Sequence, residues 1–384
     1  MRIVLPGGSG QVGQMLARHL LECGHHVTVL TRGPYTAPWQ TVHWDGEHIG
    51  PWTEHLEGAD VCINLSGRSV NCRYTAANRE AIYHSRIHTT RLLNRVISTL
   101  AEPPRVWLNA STATIYRHAL DRPMDELTGE LGGNEPGAPD AWNFSIRVAK
   151  DWEAAFFEDP TPRTRKVALR SAITFSPTPG NAFAVLSNLV RVGLGGTQGN
   201  GRQFVSWIHE TDFARAVDFL IAREDIAGPV NLAAPNPLPN REFMAALRDA
   251  WDMPNGLPAP APLVELAAFL LRTESELALK SRRVVPGRLF DAGFDFQFPL
   301  WPKPPKTWSA SGATETTEKY KAACLILATS FWRKSGKARA STRRITQDES
   351  LSPRCNVGHR QIPVRRENLE PPLFLSLVSL LVRP

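Results

Sequence analysis

The sequence predicts an α/β fold: a doubly wound parallel sheet, followed by a smaller C-terminal part and a tail of low order. Three observations predict it. A strand, a glycine-rich turn, a helix and a second strand follow one another within the first 32 residues. Short apolar runs then alternate with longer stretches of helical period to about residue 235, the pattern of parallel strands covered by helices on both faces. From Trp301 onward the periodicity fades and Pro, Ser, Thr, Lys and Arg take over, as in chains with too little apolar surface to order themselves.

Residues 1–5 read as a short buried strand. Gly7-Gly8-Ser9-Gly10-Gln11-Val12-Gly13 follows, with glycine at every third position, and opens a helix carrying Val12, Met15, Leu16 and Leu20 at helical spacing. After Gly24, residues 27–30 form a second strand ending in Thr31-Arg32. Glycines in such a turn permit a tight bend and let the backbone approach a pyrophosphate, while the helix N-terminus offers N–H groups and a positive dipole end. The context of strand before and helix after makes this glycine turn, from Gly7 through Gly10 to Gly13, a dinucleotide site. The end of the second strand selects the cofactor. An acidic residue there would bind a ribose 2′-hydroxyl and repel a 2′-phosphate. Thr31-Arg32 instead presents a hydroxyl and a guanidinium, which pairs with phosphate in a fork geometry, so NADP is favoured over NAD.

Further along, Trp44-Asp45 closes a third short strand. Residues 59–65 form a buried strand ending in the small-residue turn Asn64-Leu65-Ser66-Gly67. Residues 76–100 are a long helix with Leu93, Val96, Ile97 and Leu100 on one face, and 105–108 the next strand, running into 109–116. Residues 121–143, rich in Gly, Pro and acid, are a loop, with a lid over the site as one reading. Residues 142–157 are helical, 167–170 a strand, 182–192 a helix, 204–209 strand-like and 212–221 a helix. A short strand at 230–232 follows, then a helix capped by Asn240 and ending near Trp251. After a linker at 258–262 come two or three small elements, to about residue 299. The domains expected are 1–235 for the nucleotide, with 170–205 on the substrate side, a small C-terminal domain over 236–300, and a basic tail over 303–384 in which only 321–332 has helical character.

The net charge of +7 belongs to that tail. Residues 301–384 hold 15 of the 44 Lys and Arg but 6 of the 37 Asp and Glu, a net of +9; the first 300 carry 29 basic and 31 acidic residues, a net of −2. The body therefore gives no electrostatic argument for nucleic acid. No stretch of about 18 apolar residues suggests a membrane span, and residues 373–382 are too short for one. The five cysteines (Cys23, Cys62, Cys72, Cys324, Cys355) are unclustered and the first residues run straight into a strand. A reducing, cytoplasmic setting without a metal site is expected. Glu80, His84 and His88 share a helix face but span about 12 Å, too far to converge on one ion.

Several of these motifs together resemble the extended short-chain dehydrogenase/reductase superfamily, and more narrowly its atypical nucleoside-diphosphate-sugar epimerase-like subgroup. They are the glycine turn, Thr31-Arg32, Asn64-Leu65-Ser66-Gly67, Ser85-Arg86 with Thr89-Thr90, Gly193-Leu194-Gly195-Gly196, Gly199-Asn200-Gly201-Arg202-Gln203, Trp207-Ile208-His209 with Asp212, Arg283-Val284-Val285-Pro286, Leu289 and Ala292-Gly293-Phe294. The likeness covers residues 1 to about 300. It implies a Rossmann-like domain with a seven-stranded sheet, a C-terminal part closing over a substrate, and NADP held by the glycine turn, Thr31 and Arg32, with Asn64, Leu65, Ser66, Gly67 and Arg86 around the cofactor's middle.

Reductases of that superfamily use a Ser or Thr, a Tyr, and a Lys four residues after the Tyr, one helical turn on. Here the sequence departs. Aligned on Glu153, the Tyr position is Ser145 and the Lys position Ala149, while Lys150 is about 100° round the helix. The Ser/Thr position is Thr112, with Ser111 beside it. Three alternatives stay open: proton transfer by other groups, with Tyr116, Ser145 and His209 as candidates alongside Thr112; NADP binding without turnover; or chemistry driven by a substrate's own acidity. The expected protein is an NADP-binding oxidoreductase or epimerase acting on an unidentified small carbonyl, hydroxyl or sugar-nucleotide substrate, with a homodimer possible. A non-catalytic NADP-binding regulator or scaffold is the alternative.

Overall fold

The computed structural model of the chain describes residues 1–176 and 182–301. The elements in order are β1 (Arg2–Pro6), α1 (Gln11–Glu22), β2 (His26–Thr31), β3 (Gln40–His43), β4 (Val61–Asn64), α2 (Ala76–Thr99), β5 (Val106–Thr112), α3 (Asp140–Phe157), β6 (Arg165–Ser171) and β7 (Ile173–Phe175). There follow α4 (Ala182–Arg191), β8 (Phe204–Val205), β9 (Trp207–His209), α5 (Glu210–Ala222), β10 (Gly228–Leu232), β11 (Leu238–Pro239), α6 (Asn240–Ala250), α7 (Ala261–Leu270), α8 (Glu276–Leu279) and α9 (Gly287–Asp291).

Seven strands form one sheet in the order β10-β6-β5-β4-β1-β2-β3, every pair parallel. The apolar runs are continuous because both faces are covered, and side chains alternate between the covers. Ile3, Leu5, Val61, Ile63, Val106 and Leu108 pack with Leu16 and Leu20 of α1 and with Phe213, Val217 and Leu220 of α5. Their neighbours Val4, Cys62 and Trp107 point the other way, onto Leu92, Leu93, Val96 and Ile97 of α2. Each such buried side chain contributes about 1.5–3 kcal/mol. The strand order reverses between β1 and β4, and the crevice beyond their carboxyl ends is where a doubly wound sheet takes its ligand.

Two expectations change on the far side of the sheet. The run 204–209 is two strands, not one: β8 pairs antiparallel with β11 and β9 pairs parallel with β7. The break falls at Ser206, whose hydroxyl donates to the Arg282 carbonyl at 2.6 Å and accepts from the Val284 amide at 2.8 Å. Asn240 does not cap α6. It sits inside the first turn, Pro239 holds the cap position, and the Asn240 carboxamide accepts from the Gln198 amide at 2.8 Å.

Between β5 and α3 the chain forms one 3-10 turn, Ala113–Ile115, and otherwise neither helix nor strand, with isolated bridges at Tyr116–Leu131 and Met124–Val284. The C-terminal segment folds back on the segment before α2: Glu274 accepts from the Tyr74 amide at 2.8 Å and pairs with Arg73 at 3.3 Å. The basic tail and its two distinctive stretches lie outside the described residues. Among the described residues no helix is long and apolar enough to cross a membrane.

Candidate cofactor and active site

The glycine turn links β1 to α1 at the sheet's reversal point. Gly7 has φ +73°, and a Cβ there would lie 2.6 Å from the Ser66 backbone. Two loops thus touch, one after β1 and one after β4. A Cβ on Gly13 would press into the Gly8 backbone, so that glycine holds helix against turn. Gly10 is different: a Cβ there would meet only the Gly7 carbonyl, at 3.8 Å. The space over Gly10 is open, and α1 begins there with no side-chain cap and no acidic residue in its first turn. An anion meets a bare dipole end.

The turn after β4 is locked from beneath. Buried Asn64 donates to Asn109 Oδ1 at 2.7 Å and accepts from the Ser66 amide at 3.1 Å, and the Leu65 amide donates to the Pro6 carbonyl at 2.8 Å. Ser66 Oγ, by contrast, is buried without a hydrogen-bond partner among the described residues. Gly67 lies against Arg86, its added Cβ 3.2 Å from the guanidinium carbon. Arg86 stacks over Trp152 at 5.2 Å and donates to the Ile82 carbonyl at 3.1 Å, with no carboxylate partner among the described residues. Burial pulls it down to about 10. At the other end, Thr31 is buried and donates to the Gly33 carbonyl at 3.1 Å, while Arg32 is exposed and forms no ion pair among the described residues. An open cradle, an orphaned hydroxyl and two unpaired guanidiniums suit a dinucleotide with an extra phosphate.

The structure separates the catalytic candidates. Thr112 caps the short turn Ala113–Ile115, accepting from the Thr114 amide at 3.2 Å, at the carboxyl end of β5. Ser145, on α3, donates to Glu276 Oε2 at 2.6 Å and lies 3.2 Å from the Tyr74 hydroxyl. Tyr116 drops out. Its side chain is 1% exposed, and its hydroxyl donates to Asn231 Oδ1 at 2.9 Å and accepts from Arg170 Nη1 at 2.8 Å. Sealed and saturated, the phenol cannot meet a substrate. His209 is also structural: it caps α5, its Nδ1 accepting from the Thr211 amide at 3.1 Å, and stacks on Phe298 at 3.7 Å. Burial pulls its imidazole down to about 4, leaving it neutral at physiological pH.

Sequence reading missed two polar clusters. In one, Arg170 forms a two-pronged pair with Glu153 at 2.8 and 2.7 Å, and Glu153 also accepts from Ser111 at 2.6 Å. In the other, Glu276 faces Arg282 at 3.1 Å and Lys280 at 3.8 Å, and Lys280 donates to the Thr114 carbonyl at 2.7 Å. The one available signal was the dense run Lys280-Ser281-Arg282-Arg283 between the short apolar stretches 277–279 and 284–286. A third grouping lies elsewhere: His19, Cys23 and Asp218 bring ligand atoms within 4.8 Å of one another. Sequence spacing could not register it, because Asp218 is 199 residues from His19.

Comparison with known proteins agrees with this architecture. Residues 3–233 match the model of the NAD dependent epimerase/dehydratase family, and residues 259–303 match a domain of unknown function, DUF1731. The mouse epimerase family protein SDR39U1 is 31% identical over 305 residues, covering 78% of this chain and 96% of its own. The Bacillus subtilis epimerase family protein YfhF is 30% identical over 301 residues, covering 78% of this chain and 94% of its own. The crystal structure of human SDR39U1 (isoform 2) with NADPH superposes with a TM-score of 0.67 at 27% identity, over 78% of this chain and 96% of that one. The chain belongs to the NAD dependent epimerase/dehydratase family.

Proposed function

We propose that the protein binds NADP(H) and acts as an oxidoreductase or epimerase on a small carbonyl, hydroxyl or sugar-nucleotide substrate. The observation that carries the reading is the pair of unpaired guanidiniums, Arg32 and Arg86, at two ends of an open glycine cradle. Arg32 would meet the 2′-phosphate at the end of β2. The first turn of α1, with Gln11, Val12 and Gly13 next to Gly10, would hold the pyrophosphate. Ser66 Oγ and Arg86 would face the cofactor's middle, with Asn64 and Leu65 fixing the turn. The human relative crystallised with NADPH supports the same choice. When bound, NADP(H) exchanges a hydride with the substrate. The chain's own part would be to orient the substrate oxygen, a role proposed for Thr112, and to handle one proton, in which Ser145 takes part.

One observation favours a second reading, a non-catalytic NADP(H)-binding regulator: α3 presents Ser145 and buried Ala149 where a Tyr and a Lys would supply acid–base chemistry. Incubating the full chain with NADPH and a panel of aldehydes, ketones and sugar nucleotides, read at 340 nm, separates the two. Oxidation of NADPH that Ser145→Ala slows at least tenfold supports the enzyme. NADPH that binds and is consumed with no member of the panel supports the regulator.

A further inference from the structure

Resting on the NADP(H) reading, this inference concerns the proton. Ser145 stands between two groups from other parts of the chain. Its Oγ donates to Glu276 Oε2 at 2.6 Å and lies 3.2 Å from the Tyr74 hydroxyl. A serine hydroxyl has a single proton and a carboxylate only accepts. With that proton committed to Glu276, the Tyr74 phenol must be the donor to Ser145. Both hydrogen bonds therefore point inward, from a half-buried phenol to a buried carboxylate.

The inner end continues. The other Glu276 oxygen faces Arg282 at 3.1 Å and Lys280 at 3.8 Å. Lys280 is 1% exposed, and burial, with Arg282 beside it, pulls it down to about 7 against the pull of Glu276 and Glu135. His118, from the segment after the Ala113–Ile115 turn, also faces it. A buried amine of this kind can take up or release a proton near neutral pH. At the outer end, burial pushes the Tyr74 phenol above its ordinary value, with Glu276 and Cys72 acting in the same direction, while the Ser145 hydrogen bond and Arg86 oppose it; Arg86 also lies against Gly67 in the cofactor turn.

We propose that Tyr74 is the catalytic phenol of this site, and that Ser145 and Glu276, with Lys280 and Arg282 beside the carboxylate, form the path by which its proton leaves and returns. In the direction hydroxyl to carbonyl, the Tyr74 proton passes to Ser145 as the serine proton passes to Glu276, which holds it as a carboxylic acid. The phenolate takes the substrate's hydroxyl proton as hydride leaves the same carbon with its electron pair for NADP⁺. One proton moves inward for each hydride, and the reverse direction restores every group. Because Glu276 and Lys280 belong to the C-terminal segment, the path exists only while that segment is docked on the residues before α2, through Glu274 with Arg73 and Tyr74.

The test needs no substrate. Full-length protein labelled with [ζ-¹³C]tyrosine gives resonances from five tyrosines, and Tyr74→Phe assigns one of them. The expected result is that NADP⁺ lowers the ionisation midpoint of the Tyr74 resonance by at least one pH unit. Ser145→Ala should raise that midpoint in the complex, and Ser145→Thr, which keeps the hydroxyl, should restore it. If NADP⁺ binds and none of the five resonances responds, the proposal is overturned, whether or not Tyr74→Phe folds. A responding resonance indifferent to Ser145→Ala overturns the path. Failure of the wild-type chain to bind NADP⁺ at all would bring down the cofactor reading first, and this proposal with it.

Discussion

Arg32 and Arg86 are charged groups without an ion pair among the described residues, and they differ in what that costs. Arg32 is exposed and solvated, so it waits without penalty. Arg86 is desolvated enough to lower its proton affinity, so an anion delivered to it recovers a charge-assisted hydrogen bond. Hydrogen bonds to charged groups contribute about 1.5–3 kcal/mol. Arg32→Asp should accordingly weaken NADPH roughly tenfold to a hundredfold in a fluorescence titration while changing NADH little; an equal loss for both removes Arg32 from the 2′-phosphate. His209 sets a different signature. An unfolded imidazole titrates near 6.5 and the folded one near 4, so the folded state binds fewer protons across that interval. Its contribution to stability is complete above about pH 6.5 and falls away as pH drops toward 4, roughly 3 kcal/mol in all. His209→Asn keeps a capping acceptor and should flatten the fall in urea midpoint between pH 6.5 and 4; an unchanged slope would remove His209 as its source.

At the scale of elements, the glycine turn shows two kinds of constraint in one motif. Gly13 is needed by the fold, and on the proposed reading Gly10 is needed by the ligand. Gly10→Ala should leave the thermal midpoint within about 2 °C, since a Cβ there finds open space, yet cut NADPH affinity at least tenfold by blocking the pyrophosphate's approach. Gly13→Ala should lower the midpoint itself, because its Cβ collides with the Gly8 backbone. Calorimetric scans and titrations of both variants distinguish the roles, and a stability loss in Gly10→Ala would contradict this division. The same elements show why the fold was readable. Ile3 and Leu5 on one face and Val4 on the other are alternate residues of a run buried on both sides, and Leu93, Val96 and Ile97 fall on one helical stripe. Ser206 was not readable: the break it makes depends on a hydroxyl held by residues 282 and 284, and no local propensity records that.

At the scale of the molecule, the cofactor half of the site was legible because its parts lie at the ends of successive strands and carry local motifs. The acid–base half was not. Tyr74, Ser145, Glu276 and Lys280 are brought together by the C-terminal segment folding back across more than a hundred residues of chain, and spacing has no meaning over that distance. Tyr116 drew attention because it follows a strand near the site, and burial then closed it. The proposed site therefore comes from two sources: a cradle written into β1, α1 and β4, and a polar cluster assembled by tertiary contact, to which the proton handling is assigned. The central claim is that the cradle takes NADP(H), and calorimetric titration of the full chain with NADPH and then NADH tests it most directly. The account predicts tight NADPH binding with NADH at least tenfold weaker; binding of neither, or tighter binding of NADH, would contradict it.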